Sequence, residues 1–384
     1  MRRWPKVALG DVLSQVNRFE SVQPESTYPL LGVRLEGNGA FLRETVAGTE
    51  TSATRLNRVA CGDFIYSRLF AWRGAFGVIG HDLDGTFVSN EFPVFTADPD
   101  RVCTSFLRYW FRLPAVWRRV EEDCTGSTPT TRNRYKEQFF LSLQVPLPPL
   151  AEQQAIVTRL DTLADKVRQV NERLDAIERD ADQLLAVRFR DAIADAPMRP
   201  MAEVAPLVRR EVAIDPDASY TEVGIRSFFK GTFHRRTMQG ADYSWQNLFA
   251  IREGDLIFSN IMAWEQAIAI AKPEDDGCVG NHRMLTCEVD VDKAVASFLY
   301  YYFTTTEGFA KIDAASPGTA ARNKTLKAPD LMAIEVPIPP LATQRTFDAL
   351  QAKVAALKAR HATIRQANEA LIPAMLERVF SEAH

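Results

Sequence analysis

The sequence lacks the equipment that most enzymes of its size carry. Among its 384 residues there is no GxxxxGK[ST] phosphate loop, which argues against a nucleotide-driven motor in this chain. There is no GxGxxG fingerprint and no Gly-x-Ser-x-Gly elbow, so the signatures of a dinucleotide site and of a hydrolase nucleophile are missing too. No Asn-Pro-Pro-aromatic or Asp-Pro-Pro-aromatic tetrapeptide occurs, the device with which amino-methyltransferases hold a flipped base. The Pro-Pro pairs that do occur follow Leu147 and Ile338, whose side chains cannot accept a hydrogen bond from a base amine. Five cysteines, Cys61, Cys103, Cys124, Cys278 and Cys287, are odd in number and widely spaced, with no CxxC pair. That argues against a disulfide framework and against zinc. The five histidines form no HExxH, so no metal site is expected. No apolar run is long enough to span a bilayer, and MRRWPKVALGDVL at the start has no signal-peptide core; the expected location is cytoplasmic. Basic charge is not in excess either, the formal net charge being −3, so any phosphate-binding surface has to be local or supplied by partners.

What is present is an ordinary globular composition, 46% hydrophobic and 25% charged, with length for two or three domains. Charge is unevenly spread: +2 over residues 1–145, −3 over 146–196, −4 over 197–336 and +2 over 337–384.

Two stretches organise the chain. VPLPPLAEQQAIVTRLDTLADKVRQVNERLDAIERDADQLL runs from Val145 to Leu185, and a second version runs from Val336 to Ile372. In the first, apolar residues fall at Ile156, Leu160, Leu163, Val167, Val170, Leu174, Ile177, Ala181 and Leu184, in steps of four and three, which is the period of a coiled-coil seam. In the second, the steps run through Phe347, Leu350, Val354, Leu357, His361, Ile364, Asn368 and Leu371, and the two polar members read as register setters. Pro148-Pro149 and Pro339-Pro340 start each helix cleanly. Two such seams in one chain can pair with each other.

The globular parts repeat. Tyr28 to Arg34 lies over Tyr220 to Arg226 and Gly62 to Trp72 (GDFIYSRLFAW) over Gly254 to Trp264 (GDLIFSNIMAW), both at an offset of 192 residues. FLRYWF and GSTPTTRNR also have later counterparts, FLYYYF and GTAARNK. A repeat of this length is a duplicated domain. Each half reads as mixed α/β, with strands around Leu30–Leu35, Asp63–Leu69, Phe76–Ile79 and Phe87–Thr96, a helix over Thr104–Glu122 and a closing strand over Phe139–Val145. The second half is expected to repeat this, with a strand near Asp255–Asn260, a helix near Ala294–Thr305 and a closing strand near Leu331–Val336. Asp191 to Val204, with two prolines, reads as a short linker.

Candidate contact residues sit on glycine-punctuated loops whose side chains suit phosphates and base edges. Thr125 to Arg134 offers Ser127, Thr128, Thr131, Arg132 and Arg134, and its counterpart retains Thr319, Arg322 and Lys324. A second region comprises Ser67, Arg68 and Arg73 beside Trp72, with Ser259 and Asn260 beside Trp264 as counterparts. A third contains Asn90, opposite Asn281 and Arg283. The competing reading is structural in each case: glycine and threonine shaping a turn around a paired arginine, tryptophans packed in a core, an asparagine satisfied within a loop. No catalytic residue is expected.

With the doubled arrangement in place, the chain resembles the specificity subunits of type I restriction-modification systems over essentially its whole length. The resemblance rests on VPLPPLAEQQAIV and VPIPPLATQ, on GDFIYSR and GDLIFSN, and on the glycine-to-arginine loops. It implies two α/β target-recognition domains, residues 1–145 and 197–336, alternating with two conserved long helices, residues 146–196 and 337–384. The helices would pair as an antiparallel coiled coil under pseudo-two-fold symmetry, acting as spacer and as partner-binding surface. A helix of ~40 residues rises ~60 Å, enough to hold two readers more than one ~34 Å turn of DNA apart. The implied function is recognition of a bipartite, asymmetric double-stranded target, one half-site per domain, directing partner subunits. Those would be two methyltransferase subunits and, in a full complex, restriction subunits. S-adenosylmethionine would belong to the methyltransferase, and this chain would bind no cofactor and catalyse nothing. ATQR in the second copy, where the first has AEQQ, leaves open whether the two partner contacts are equal. The alternative is a non-catalytic coiled-coil adaptor whose globular halves bind protein.

Overall fold

The computed structural model of the chain describes residues 4–124, 134–243, 247–318 and 324–381. It divides into two compact units, residues 1–174 with 362–384, and residues 175–361. Each unit therefore contains one globular repeat, the near half of the long helix that follows it and the far half of the other long helix.

In the first unit, Lys6–Ala8 pairs antiparallel with Gln144–Pro146 at the base of the long helix. A four-stranded sheet runs in the order Leu13–Val16, Val94–Ala97, Phe64–Tyr66, Phe76–Val78, and a five-stranded sheet in the order Phe19–Ser21, Arg55–Arg58, Phe87–Val88, Thr27–Val33, Ala40–Ala47. The second unit repeats the plan. Met198–Pro200 pairs with Glu335–Pro337, one sheet runs Leu207–Val208, Met284–Cys287, Leu256–Ser259, Ile268–Ile270, and another runs Thr232–Gln239, Ser219–Ile225, Val279–Gly280, Phe249–Ala250. The correspondence extends to irregularities: a register shift at Leu30/Leu31 recurs at Glu222/Val223. The first unit's fifth strand survives in the second as a single bridge, Glu211 to Phe249.

The core positions are kept while their chemistry changes. Rings of Phe64, Tyr66, Phe76, Phe95, Phe111, Tyr135 and Phe140 are fully or almost fully buried in the first unit, with Phe76 on Phe111 at 4.1 Å and Phe95 on Phe140 at 4.6 Å. The corresponding places in the second unit hold Leu256, Phe258, Ile268, Cys287, Phe303, Leu326 and Leu331, also buried. Burial in this apolar setting pushes the Cys287 thiol up to about 12, the direction expected when a charged form is desolvated. The glycine-aspartate step of the recurring motif is framework: buried Asp63 accepts from Ala60 N–H at 2.8 Å and from the Arg18 guanidinium at 2.6 Å. Asp255 does the same with Arg252 N–H and Arg210, at 2.8 and 2.6 Å.

The long helices are Leu150–Ile193 and Leu341–Ser381, and they pair antiparallel within each unit. In the first, Asn368 donates to Asn171 at 2.9 Å; in the second, His361 meets Glu178 at 2.9 Å and Lys358 meets Asp182 at 2.6 Å. None of the described helices is long and apolar enough to cross a membrane.

Several sequence expectations are corrected. The seam keeps Leu160, Val167 and Leu174 inward, but Val170 and Ile177 are 38% and 45% exposed while the adjacent Asn171 and Glu178 turn inward. On the partner helix, Ile364 and Leu371 are 41% and 43% exposed, and Ile372 is buried. The polar cross-helix bonds offset the desolvation of these groups, so apolarity alone misplaces the seam by one residue. Ile156 and Val354 are buried, and Leu163, Leu350 and Leu357 are half-buried. The expected helix over 104–122 is two helices, Thr104–Trp110 and Pro114–Glu122, since Pro114 cannot accept a place in a helix interior but suits a first turn. The closing segments are Glu137–Ser142 followed by strand Gln144–Pro146, and Ala328–Met332 followed by Glu335–Pro337. The presumed linker is structured: the long helix reaches Ile193, Met198–Pro200 is a paired strand and Met201–Val204 a helical turn.

Gln153 and Gln344, each 0% exposed, fasten the helix starts to the globular parts. Gln153 accepts from Cys103 N–H at 2.9 Å and donates to the carbonyls of Arg101 and Pro148 at 2.9 and 2.8 Å. Gln344 repeats this with Val295, Lys293 and Pro339 at 2.9, 3.1 and 2.8 Å. Because either buried side chain satisfies three backbone groups, Gln153→Ala or Gln344→Ala is expected to lower stability by about 1–3 kcal/mol. Urea unfolding of each variant checks this, and an unchanged midpoint would show the contacts to be dispensable.

Candidate nucleic-acid interface

Three loops separated in sequence meet at one place in the first unit. The strand Phe64–Tyr66 ends in Ser67 and Arg68, and the Arg68 backbone joins the other two loops: its N–H donates to Glu91 O at 3.0 Å and its carbonyl accepts from Tyr135 N–H at 2.9 Å. The Arg68 guanidinium contacts the Glu137 carboxylate and the carbonyl of Asn90. Arg134, at the end of the glycine-threonine loop, pairs with Glu91 at 2.8 Å. Trp72 donates its indole N–H to Leu69 O at 3.0 Å, and the exposed Arg73 lies 5.9 Å over its ring.

The second unit builds the same junction from different side chains. Asn260 N–H donates to Arg283 O at 2.8 Å and its carbonyl accepts from Leu326 N–H at 2.7 Å. Trp264 donates to Ile261 O at 2.9 Å. Lys324 stands 5.9 Å over the Trp264 ring and pairs with Asp313 at 2.5 Å. Asn281 closes its own turn, its side-chain oxygen accepting from Arg283 N–H at 2.9 Å.

The structure thus brings together Ser67, Arg68, Asn90 and Arg134 in one unit, and Ser259, Asn260, Asn281, Arg283 and Lys324 in the other. Ser67 is buried, at 4%, so a base contact through its hydroxyl is closed in this state; it is framework. The exposed members are Arg73, Asn90, Arg134 and Arg283. Ser127, Thr128, Thr131, Arg132, Thr319 and Arg322 lie outside the described residues. Two buried acceptors at the junctions, Glu91 Oε2 and Asn260 Oδ1, have no partner among the described residues. Buried acceptors of this kind are costly to leave unmet.

Electrostatically, Arg68, Arg134 and Lys324 are each held by a carboxylate. Phosphates compete with those carboxylates for the same donors. The sequence reading missed the outer hairpin of each unit. In the first, Glu36 N–H donates to Arg73 O at 2.8 Å; in the second, Phe228 N–H donates to Glu265 O at 3.0 Å. That contact places the hairpin turn against the tryptophan segment. The available signal was the run His234-Arg235-Arg236, in a half whose net charge is negative. On the same hairpin, Glu222 is pushed up by burial, but bonds from Arg236 and Tyr243 outweigh that and hold it below the usual carboxylate range.

Residues 1–179 match the family model of the type I restriction modification DNA specificity domain. No protein of curated function matches the sequence. Among solved structures, the HsdS subunit from Thermoanaerobacter tengcongensis has the same fold, with TM-score 0.64 and 20% identity over 99% of this chain and 97% of that one. A chain from a structural study of complex assembly and conformational transition of the type I R-M system aligns with TM-score 0.69 and 19% identity, over 99% of this chain and 98% of that one. Residues 1–179 thus match the DNA specificity domain of type I restriction modification, and the second unit, beyond that match, rebuilds the same loop junction.

Proposed function

We propose that this chain reads a bipartite, asymmetric DNA target, one half-site per target-recognition domain, residues 1–145 and 197–336. The observation that carries the proposal is the repeated junction. Arg68 and Asn260 make the same two backbone hydrogen bonds, yet beside a retained serine and tryptophan the side chains presented differ, with Arg68 and Arg73 in one unit and Asn260 and Glu265 in the other. A retained scaffold with unlike readers is what two different half-sites require. Direct readout then falls to loop side chains, and phosphate contacts to Arg73, Arg134, Arg283 and Lys324.

The regions 146–196 and 337–384 act, in this reading, as spacer and as docking surface for two methyltransferase subunits, and restriction subunits join the full complex. The methyltransferase brings S-adenosylmethionine and performs the chemistry; this chain brings address and spacing. The location is the cytoplasm, where the DNA is. A near-neutral subunit suits a clamp in which partners supply part of the positive charge.

Selection of duplexes from a randomised pool, by the full chain assembled with its methyltransferase partner, tests the proposal. Two unlike base clusters separated by a fixed unread spacer are expected; a single contiguous cluster, or none, contradicts it. Removing one heptad from each long helix at matched positions keeps the seam and shortens the pair by ~10.5 Å. The same selection should then return a spacer shorter by about three base pairs, and an unchanged spacer rejects the helices as its ruler. At the junction, Arg134→Ala breaks an exposed pair worth about 0–1 kcal/mol, so folding is spared while the slope of log K against log salt falls by about one. Arg68→Ala should lower the unfolding midpoint as well, because Glu137 and the Asn90 carbonyl lose their donor. Identical salt slopes for wild type and Arg134→Ala would return that residue to a structural role.

A further inference from the structure

The outer hairpin of the second unit, Ser219–Ile225 with Thr232–Gln239, turns through a conformation that the framework does not account for. Phe228 and Phe229 both lie in the left-handed region, at φ 61° and 54°. A bulky side chain there is an outlier that persists only where the surroundings over-determine it. At the same places the first unit has Glu36 and Gly37, at φ 59° and 68°.

Phe229 has a packing role. Its ring meets Tyr300 edge-on at 6.0 Å and Phe309 at 6.2 Å, and its carbonyl accepts from the Tyr300 hydroxyl at 3.2 Å. Phe228 has none that matches its size, being 60% exposed. The turn is nevertheless held firmly. Phe228 and Phe229 N–H donate to Glu265 and Gln266 carbonyls at 3.0 and 2.9 Å, and Ser227 Oγ donates to Glu265 at 2.6 Å. Glu265 directly follows Trp264, over which Lys324 stands. The exposed ring is therefore fixed beside the junction described above.

Charge around the ring points the same way. Lys230 Nζ lies 5.7 Å from the Phe228 ring centroid, and the following strand exposes His234, Arg235 and Arg236. With Phe228 these five positions total +3, histidine taken as neutral, whereas Glu36, Asn38, Leu42, Arg43 and Glu44 in the first unit total −1. Arg236 is engaged by Glu222 at 3.0 Å and His234 by Asp275 at 3.1 Å. Lys230 and Arg235 make no ion pair within 4.0 Å among the described residues, although the Arg235 charge also acts on Glu222, and the two cations flank an exposed aromatic ring. Apolar side chains presented in this way between cations unstack and kink base steps, and a turn ordered in advance saves the entropy of ordering on binding.

We propose that Phe228 is a wedge that unstacks one base step in the second half-site, with Lys230 and Arg235 on the flanking phosphates, a contact the first half-site lacks. This rests on the reading of the chain as a DNA-recognition subunit. At the equivalent turn of the first unit, Glu36 would be repelled by phosphates, so the two half-sites differ in deformation as well as in base sequence.

The test uses the full chain assembled with its methyltransferase partner and target duplexes carrying 2-aminopurine at successive steps of the second half-site. Wild type should raise the fluorescence at one step, the mark of unstacking. Phe228→Gly suits the left-handed backbone, so it should melt at or above wild type, yet lose that signal and bind about tenfold more weakly. Lys230→Ala and Arg235→Ala should each reduce the salt slope by about one. No fluorescence rise at any step, or Phe228→Gly binding as tightly as wild type, overturns the wedge and leaves recognition standing. Loss of the methyltransferase from the Phe228→Gly complex overturns it in favour of a protein contact. Failure of the wild-type complex to bind any sequence-specific target overturns the reading on which the wedge rests.

Discussion

Each long helix has to be buried at both of its ends, and the rest of the structure depends on how that is met. The near end is fastened by a glutamine that satisfies three backbone groups, Gln153 in one copy and Gln344 in the other. The far end is fastened by a phenylalanine. Phe380 packs on Phe106 and Trp4 at 5.3 and 6.1 Å, and Phe189 packs on Phe298 and Tyr301 at 4.9 and 4.8 Å. Both helices thus contribute to the core of both units, which makes each unit a composite of two distant parts of the chain. Burial of this kind supplies most of the stability of a helix in a protein.

Between those ends the seam carries polar pairs beside Val167 and Leu174, and those pairs break the symmetry of the repeat. Asn171 meets Asn368 and Glu178 meets His361, while the repeat places Ile177 at the position equivalent to Asn368 and Val170 at the position equivalent to His361. A polar group in a seam costs stability but is satisfied in one register only. The apolar ends supply the energy and the polar middle supplies the register.

Much of this was legible in the sequence. A duplicated domain leaves matched motifs at a constant offset, and the stripe of threes and fours announces a paired helix. What stayed hidden has identifiable physical causes. Val170 and Ile177 lost their seam places to Asn171 and Glu178 because hydrogen bonds to the other helix are not written in either stripe alone. Pro114 split a helix whose aromatic content was right. The structured segment around Met198–Pro200 looked like a linker because its strand partner, Glu335–Pro337, lies more than a hundred residues away. At the junction, the three contact regions were named separately, but their meeting depends on the backbone of Arg68 and Asn260, and a sequence does not show where a backbone goes. The Asp63 and Asp255 carboxylates turned part of the most recognisable motif into framework. The basic strand of the second hairpin was concealed by averaging charge over a half whose total is negative.

As proposed above, this chain supplies the address and a methyltransferase partner the chemistry. A base-resolution methylation map tests that most directly, taken from cells that express the methyltransferase partner with this chain and from cells that express the methyltransferase alone. The account predicts a methylated motif of two unlike parts that appears only when this chain is present. If the same motif is methylated with and without it, or if none appears although the two proteins co-purify, the chain does not direct recognition and the account fails.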